Sequence, residues 1–136
     1  MLQTTISRRV HFSSGHRYAV ANWSMEKNME TYGSLFSQAG FGHNFILEAT
    51  VTGPVSDEHG MIINMSELDS KLQKVVEPLD HHFLNTDVDE FKSRVPTLEN
   101  IARYCFKNLK QEFDEPIQLD SIRLYEDSET WVDIKP

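Results

Sequence analysis

From Ile6 onward the chain alternates, with Ile6, Val10 and Phe12 on one side and Ser7, Arg9, His11 and Ser13 on the other. A period of two is that of a half-buried strand. Arg8 interrupts the apolar face, which places it at an edge or an interface. The strand runs out in Ser14-Gly15-His16-Arg17, where Gly15 predicts a bulge or kink that re-aims His16. A loop to Ser24 and a short helix from Met25 to about Thr31, without a strong cap, come next. The polar, turn-rich stretch Tyr32 to Phe45 then feeds a second alternating strand. Its one face carries His43, Phe45, Leu47, Ala49 and Val51, and its other carries Asn44, Ile46, Glu48, Thr50 and Thr52.

Gly53-Pro54 and Asp57-Glu58-His59-Gly60 mark turns, and Met61-Ile62-Ile63-Asn64 reads as a strand fragment. Spacing then changes to that of a helix. Leu68, Leu72, Val75 and Val76 make one stripe, Ser66 with Asp69 resembles a capping box, and Pro78 stops the helix. Leu79 to Asn85 reads as a loop of alternating polar and apolar residues, the kind of segment that carries function on a rigid scaffold. Thr97 caps a second helix whose stripe is Leu98, Ile101, Ala102, Cys105 and Leu109. After Pro116, Ile117, Leu119 and Tyr125 alternate with Gln118, Asp120 and Glu126 to give a third strand, and Thr130 to Ile134 gives a fourth. The order strand, strand, helix, helix, strand, strand is that of an α+β protein with an antiparallel sheet.

Composition narrows the function. The 136 residues suit one domain, residues 1–136, and 39% hydrophobic with 25% charged residues is ordinary for a water-soluble fold. A formal charge of −8 argues against general nucleic-acid binding, which needs a basic surface to displace counterions. No apolar run approaches the roughly 20 residues of a membrane span, and the N-terminal residues lack a secretory signal, so a cytoplasmic location is expected. One cysteine, Cys105, excludes an internal disulfide and a multi-thiolate zinc site, and its place on the helical stripe gives it a packing role.

Four separated segments offer site chemistry: His16 after the first strand, His43 opening the second, Asp80-His81 between the helices, and Glu126 late in the third strand. Two histidines with an acid-oriented third suit a zinc site in which a neighbouring base moves a proton. A buried carboxylate at Glu126 needs a paired partner.

These residues sit in motifs that resemble the 6-pyruvoyltetrahydropterin synthase family, which includes the bacterial 6-carboxytetrahydropterin synthases. The matching stretches are Phe12-Ser13-Ser14-Gly15-His16-Arg17, Gly42-His43-Asn44-Phe45, Gly60-Met61-Ile62-Ile63-Asn64, Leu79-Asp80-His81 with Leu84-Asn85, Thr97-Leu98-Glu99-Asn100 and Leu124-Tyr125-Glu126. The resemblance implies the tunnelling fold, a four-stranded antiparallel sheet with two helices on one face (ββααββ). It also implies an oligomeric β-barrel, a homotrimer or a homohexamer of two trimers, with sites between subunits. The implied activity is a zinc-dependent lyase acting on a small-molecule pterin, 7,8-dihydroneopterin triphosphate, with loss of triphosphate. Carried over, His16 and His43 are zinc ligands, Asp80 and His81 form a catalytic relay, Glu126 anchors the pterin, and Thr97 and Glu99 lie near its pocket.

Two positions depart from the pattern. Phe41 stands where the family has a further zinc-binding histidine, and Leu35 where it has a cysteine acting as base. Phenylalanine cannot ligate zinc and leucine cannot take a proton, so metal is expected to be weakly held or lost and His81 becomes a candidate base. Three readings follow: a 6-pyruvoyltetrahydropterin synthase-type lyase, a 6-carboxytetrahydropterin synthase-type enzyme of queuosine biosynthesis, and a pterin-binding paralogue without lyase chemistry.

Overall fold

The computed structural model describes residues 2–136. Two long strands, β1 (Thr5–His16) and β2 (Phe41–Thr52), pair antiparallel along their whole length, from Thr5 opposite Thr52 to His16 opposite Phe41. That unbroken register carries Gly15 opposite Gly42, so the predicted bulge at Gly15 is absent and His16 faces inward by plain alternation. Between them lie α1 (Met25–Tyr32) and a 3-10 turn (Gly33–Phe36). Contrary to the sequence reading, α1 has a side-chain cap: Ser24 Oγ accepts from the Lys27 N–H at 3.1 Å. Buried Asn28 ties this helix to the loop before it, accepting from the Val20 N–H at 2.8 Å and donating to the Val20 and Ser24 carbonyls.

Met61 to Asn64 forms no strand. Ile63 is buried, and Asn64 is the true N-cap of α2 (Met65–Val76), its Oδ1 accepting from the Ser66 N–H at 3.0 Å, so the cap expected at Ser66 lies two residues earlier. The segment expected as a loop is more ordered than that. His82–Phe83 form a two-residue strand, β3, running parallel to β1 at Ser14 and Gly15, and two one-turn helices follow, α3 (Leu84–Asp87) and α4 (Glu90–Ser93). Helix α5 (Leu98–Lys110) starts at Thr97 as expected, with Thr97 Oγ1 accepting from the Asn100 N–H at 3.1 Å. Strands β4 (Gln118–Tyr125) and β5 (Trp131–Ile134) complete a sheet of order β3-β1-β2-β4-β5. The four long strands are antiparallel, as the sequence implied, and β3 makes the sheet mixed.

The inner face of the sheet carries Val10, Phe12, Phe45, Leu47, Ala49 and Val51, all buried, and the stripes of α2 and α5 close over it. Arg8, on the same face, reaches the rim and forks onto Asp69 of α2 at 2.8 and 3.2 Å, which explains a cation in an apolar row.

One irregularity matters to the site. The β2–β4 register slips between Thr50 and Val51, which pair with Ser121 and Leu119, leaving Asp120 as the extra residue of a β-bulge. Before the bulge Leu119 is buried, and after it Ile122 and Leu124 are. The bulge therefore exchanges the faces, and the sequence reading that placed Leu119 and Tyr125 together is corrected. Tyr125 goes to the outer face between Arg9 and Arg123, whose guanidinium carbons lie 5.2 and 5.9 Å from its ring centre.

Candidate functional site

The ends of β1 and β2 and the turn after β4 meet at one rim of the sheet. His16 is fully buried there. Its Nδ1 lies 2.8 Å from the Pro96 carbonyl oxygen, which can only accept, so Nδ1 carries the proton and Nε2 the lone pair. Nε2 lies 3.2 Å from His43 Nδ1, which must then donate, and the ring nitrogen of His43 left outside the couple is Nε2. That nitrogen faces Glu126, with Oε1 at 3.9 Å. Burial is the main cause that lowers the His16 pKa to about 4, partly opposed by the Pro96 carbonyl and reinforced by His43. His16 is thus neutral at physiological pH.

Glu126 follows β4 directly instead of lying within it, a second correction; its N–H donates to the Thr130 carbonyl at 3.0 Å in the turn into β5. It reaches His43 only because the Asp120 bulge shifts the strand by one residue. Without the bulge, strict alternation from Leu119 would send it to the outer face.

Asp80 and His81 come from the turn before β3. Asp80 Oδ1 accepts from the Ser13 N–H at 2.8 Å, and Oδ2 lies 3.0 Å from His81 Nδ1. The Ser13 bond is the main cause that holds the Asp80 carboxyl below the usual range, with His81 adding to it. His81 has φ of 61°, uncommon for a residue with a side chain, and its backbone N–H donates to the Ser13 carbonyl at 2.6 Å. With Nδ1 on Asp80, its exposed imidazole presents Nε2 outward. A shallow depression of roughly 390 Å³, lined by Ser13, Ser14, Gly42, His43, Asn44 and His81, joins this pair to the histidine couple.

Thr97 and Glu99 lie beside the site without entering the histidine couple. The Thr97 hydroxyl is occupied as the cap of α5, and Glu99 is exposed in the first turn. Sequence reasoning missed Tyr18. Its ring centre is 5.7 Å from those of both His16 and Phe41, and its hydroxyl accepts from the Leu98 N–H at 3.4 Å. Burial raises its pKa, with Glu126 and Glu99 contributing, so the phenol stays protonated. The available signal was its spacing of two from His16. The Pro96 carbonyl was also missed, and nothing in a sequence reports a main-chain acceptor.

A zinc site needs a donor set. Two imidazole nitrogens about 2.05 Å from a tetrahedral zinc lie about 3.3 Å apart, close to the 3.2 Å between His16 Nε2 and His43 Nδ1, but His43 Nδ1 donates in this couple and would have to give up that proton to ligate. Beside the couple stands an apolar ring: the Phe41 ring centre is 4.5 Å from that of His16 and 5.6 Å from that of His43, and it offers no donor atom. Among the described residues no group of three or more His, Cys, Asp or Glu is placed to hold a metal ion. The residues present do not fit a three-ligand catalytic zinc. Leu35 is exposed, and its contribution nearby is a carbonyl that accepts from the Tyr18 N–H at 3.0 Å.

The sheet and its rim define a class: an α+β domain that holds a buried histidine couple and a facing carboxylate at one sheet end, beside an acid-oriented histidine. Comparison with known proteins is specific about that class. A sequence model described as 6-pyruvoyl tetrahydropterin synthase matches residues 5–136. A Drosophila melanogaster protein named 6-pyruvoyl tetrahydrobiopterin synthase is 34% identical over 122 residues, 89% of this chain and 73% of that one. A Haemophilus influenzae protein named 6-carboxy-5,6,7,8-tetrahydropterin synthase is 31% identical over 62% of this chain and 74% of its own length. The solved structure of Caenorhabditis elegans 6-pyruvoyl tetrahydropterin synthase superposes with a TM-score of 0.93 at 31% identity, covering 100% of this chain and 97% of that one. The chain belongs to the 6-pyruvoyl tetrahydropterin synthase family, and its sheet and helices agree with the tunnelling fold.

Proposed function

We propose that this protein binds a dihydropterin at the β1–β2 rim and acts on it as a lyase of the 6-pyruvoyltetrahydropterin synthase type, with 7,8-dihydroneopterin triphosphate as substrate. The observation that carries this reading is the convergence of Glu126 on His43 beside the depression shared with His81. Glu126 takes the amino-pyrimidine edge through two parallel hydrogen bonds, which fix orientation as well as affinity. His81 is the base: Asp80 holds its Nδ1, and Nε2 accepts the proton lost from the pterin side chain while triphosphate departs with the bonding electron pair. No step runs through zinc, because the described residues supply no third ligand beside the two histidines.

Assembly supports the site. Sheet edges left at β3 and β5 invite pairing with further copies, and a homotrimer or homohexamer closing a barrel would remove them. Sites would then lie between subunits, in the cytoplasm.

One observation favours a second reading. The Phe41 ring packs against His16 where a metal ligand would be needed, which suits a pterin-binding paralogue that performs no elimination. Incubation with dihydroneopterin triphosphate, with and without added zinc, separates the two by chromatography of the pterins and assay of released triphosphate. Release supports the lyase, and the identity of the pterin formed separates a 6-pyruvoyl from a 6-carboxytetrahydropterin product. Binding without release supports the paralogue, and absence of pterin binding overturns both.

A further inference from the structure

Four arginines show how this chain satisfies a guanidinium, and one of them is unlike the others. Arg8 and Arg123 each lay the Nε–Nη2 edge on a carboxylate, Arg8 on Asp69 and Arg123 on Asp133 at 2.7 and 3.1 Å. Arg9 Nε donates to Glu48 at 2.8 Å. In Arg17 the same two atoms, Nε and Nη2, are buried and have no acceptor. A buried donor edge without an acceptor is costly, and this edge is the one that matches carboxylate and phosphate oxygens side by side.

The surroundings of Arg17 are rigid and basic. Asn85 clamps its main chain, accepting from the Arg17 N–H and donating to its carbonyl, both at 2.9 Å. Its guanidinium carbon lies 4.5 Å from the ring centre of Phe36. Arg17 also lines a cavity of roughly 200 Å³ whose walls include Lys92, Arg94, Asn85 and Ser93. Lys92 pairs with exposed Asp89 at 2.9 Å, and Arg94 stands 3.7 Å from a half-buried Glu90 that Lys107 also holds, so neither cation is tightly committed and an anion of higher charge can compete for both. Three cations around one cavity stand out in a chain with a formal charge of −8. Val95 lines the cavity, and the next residue, Pro96, accepts from His16, so cavity and pterin rim share one wall.

We propose that the Arg17–Lys92–Arg94 cavity is a binding site for phosphate oxygens, of a free phosphate or polyphosphate or of the phosphate chain of a bound substrate. The substrate arm rests on the pterin reading above; the free-anion arm does not. The Arg17 fork is closed off from solvent, so binding turns the guanidinium on the face of Phe36 to meet the anion. A phosphate is favoured over a single carboxylate because its charge is shared among three cations.

The test is calorimetric titration of inorganic triphosphate into the full-length protein at low and high salt. Binding is expected to weaken with salt, and Arg17→Gln should weaken it at least about tenfold, as loss of charge-assisted hydrogen bonds requires. Should Arg17→Gln fold poorly, the exposed double variant Lys92→Gln/Arg94→Gln carries the same expectation. Dihydroneopterin affinity should be unchanged in the double variant, which separates failure of this site from failure of the pterin reading. Displacement of inorganic triphosphate by dihydroneopterin triphosphate, one for one, assigns the site to the substrate's own chain; simultaneous binding of both assigns it to a free anion. No binding at millimolar triphosphate, or equal binding by both variants, overturns the proposal. So does loss of oligomer in Arg17→Gln with triphosphate binding intact, since a carboxylate of a second copy would then fill the fork.

Discussion

Gly40 offers a test of how the loop carrying Phe41 and His43 is held. It sits at φ of +75°, and a Cβ built on it would lie 2.6 Å from Phe83 Cε1 and 3.1 Å from the His16 carbonyl oxygen. Gly60 has nearly the same φ, +74°, and a Cβ there meets nothing within 4 Å. Alanine at Gly60 therefore carries only the left-handed backbone penalty, about 1 kcal/mol. Alanine at Gly40 adds a clash with a ring and a main-chain oxygen, and overpacking of that kind costs about 1–3 kcal/mol more. We expect Gly40→Ala to lose about 2–4 kcal/mol and Gly60→Ala about 1 kcal/mol. Urea denaturation at one protein concentration reads both, since assembly would otherwise shift the midpoints. Phe83→Ala removes the ring and leaves the His16 carbonyl contact at 3.1 Å, so in that background the Gly40→Ala loss should shrink while staying above that of Gly60→Ala. Equal losses at the two glycines in the parent chain, or an undiminished loss without Phe83, would refute the reasoning and unseat Phe83 as the clamp between the Asp80–His81 turn and the His43 loop.

Further outcomes concern the site. Glu126→Ala should abolish dihydropterin binding by calorimetry, and unchanged affinity would remove Glu126 as the anchor. Phe41→His should raise zinc retained after dialysis against a mild chelator, because it supplies the third imidazole beside a pair already spaced for two; unchanged occupancy would show that the ring's position is not the missing corner. His81→Gln should suppress triphosphate release with pterin binding kept, while persistent release would move the base elsewhere. Stability in chelator should fall by about 2 kcal/mol between about pH 7 and about pH 4.5, because the unfolded chain protonates His16 below about 6.5 and the folded one only near 4. The stabilisation is complete above the unfolded value and is lost as pH falls through that window; the same drop in His16→Gln would assign it to other groups.

Local periods settled much of this protein in advance. The stripes of α2 and α5, the alternation of β1 and β2 and the cap at Thr97 are short-range consequences of backbone geometry, and the sequence shows them directly. Family motifs named His16, His43, Asp80, His81 and Glu126, and the departures at Phe41 and Leu35 were visible as letters. Pairing decided the rest. Whether Gly15 bulges depends on the strand opposite, and there it pairs one to one with Gly42. The bulge at Asp120 comes from a slip against β2 that no period within β4 announces, and it alone turns Glu126 toward His43. Likewise the His16 Nδ1 proton is fixed by a carbonyl 80 residues away, and the packing of the Phe41 ring against His16 comes only with the assembled rim. Such features belong to contacts between segments distant in sequence, whose register and facing are set only when the sheet is assembled.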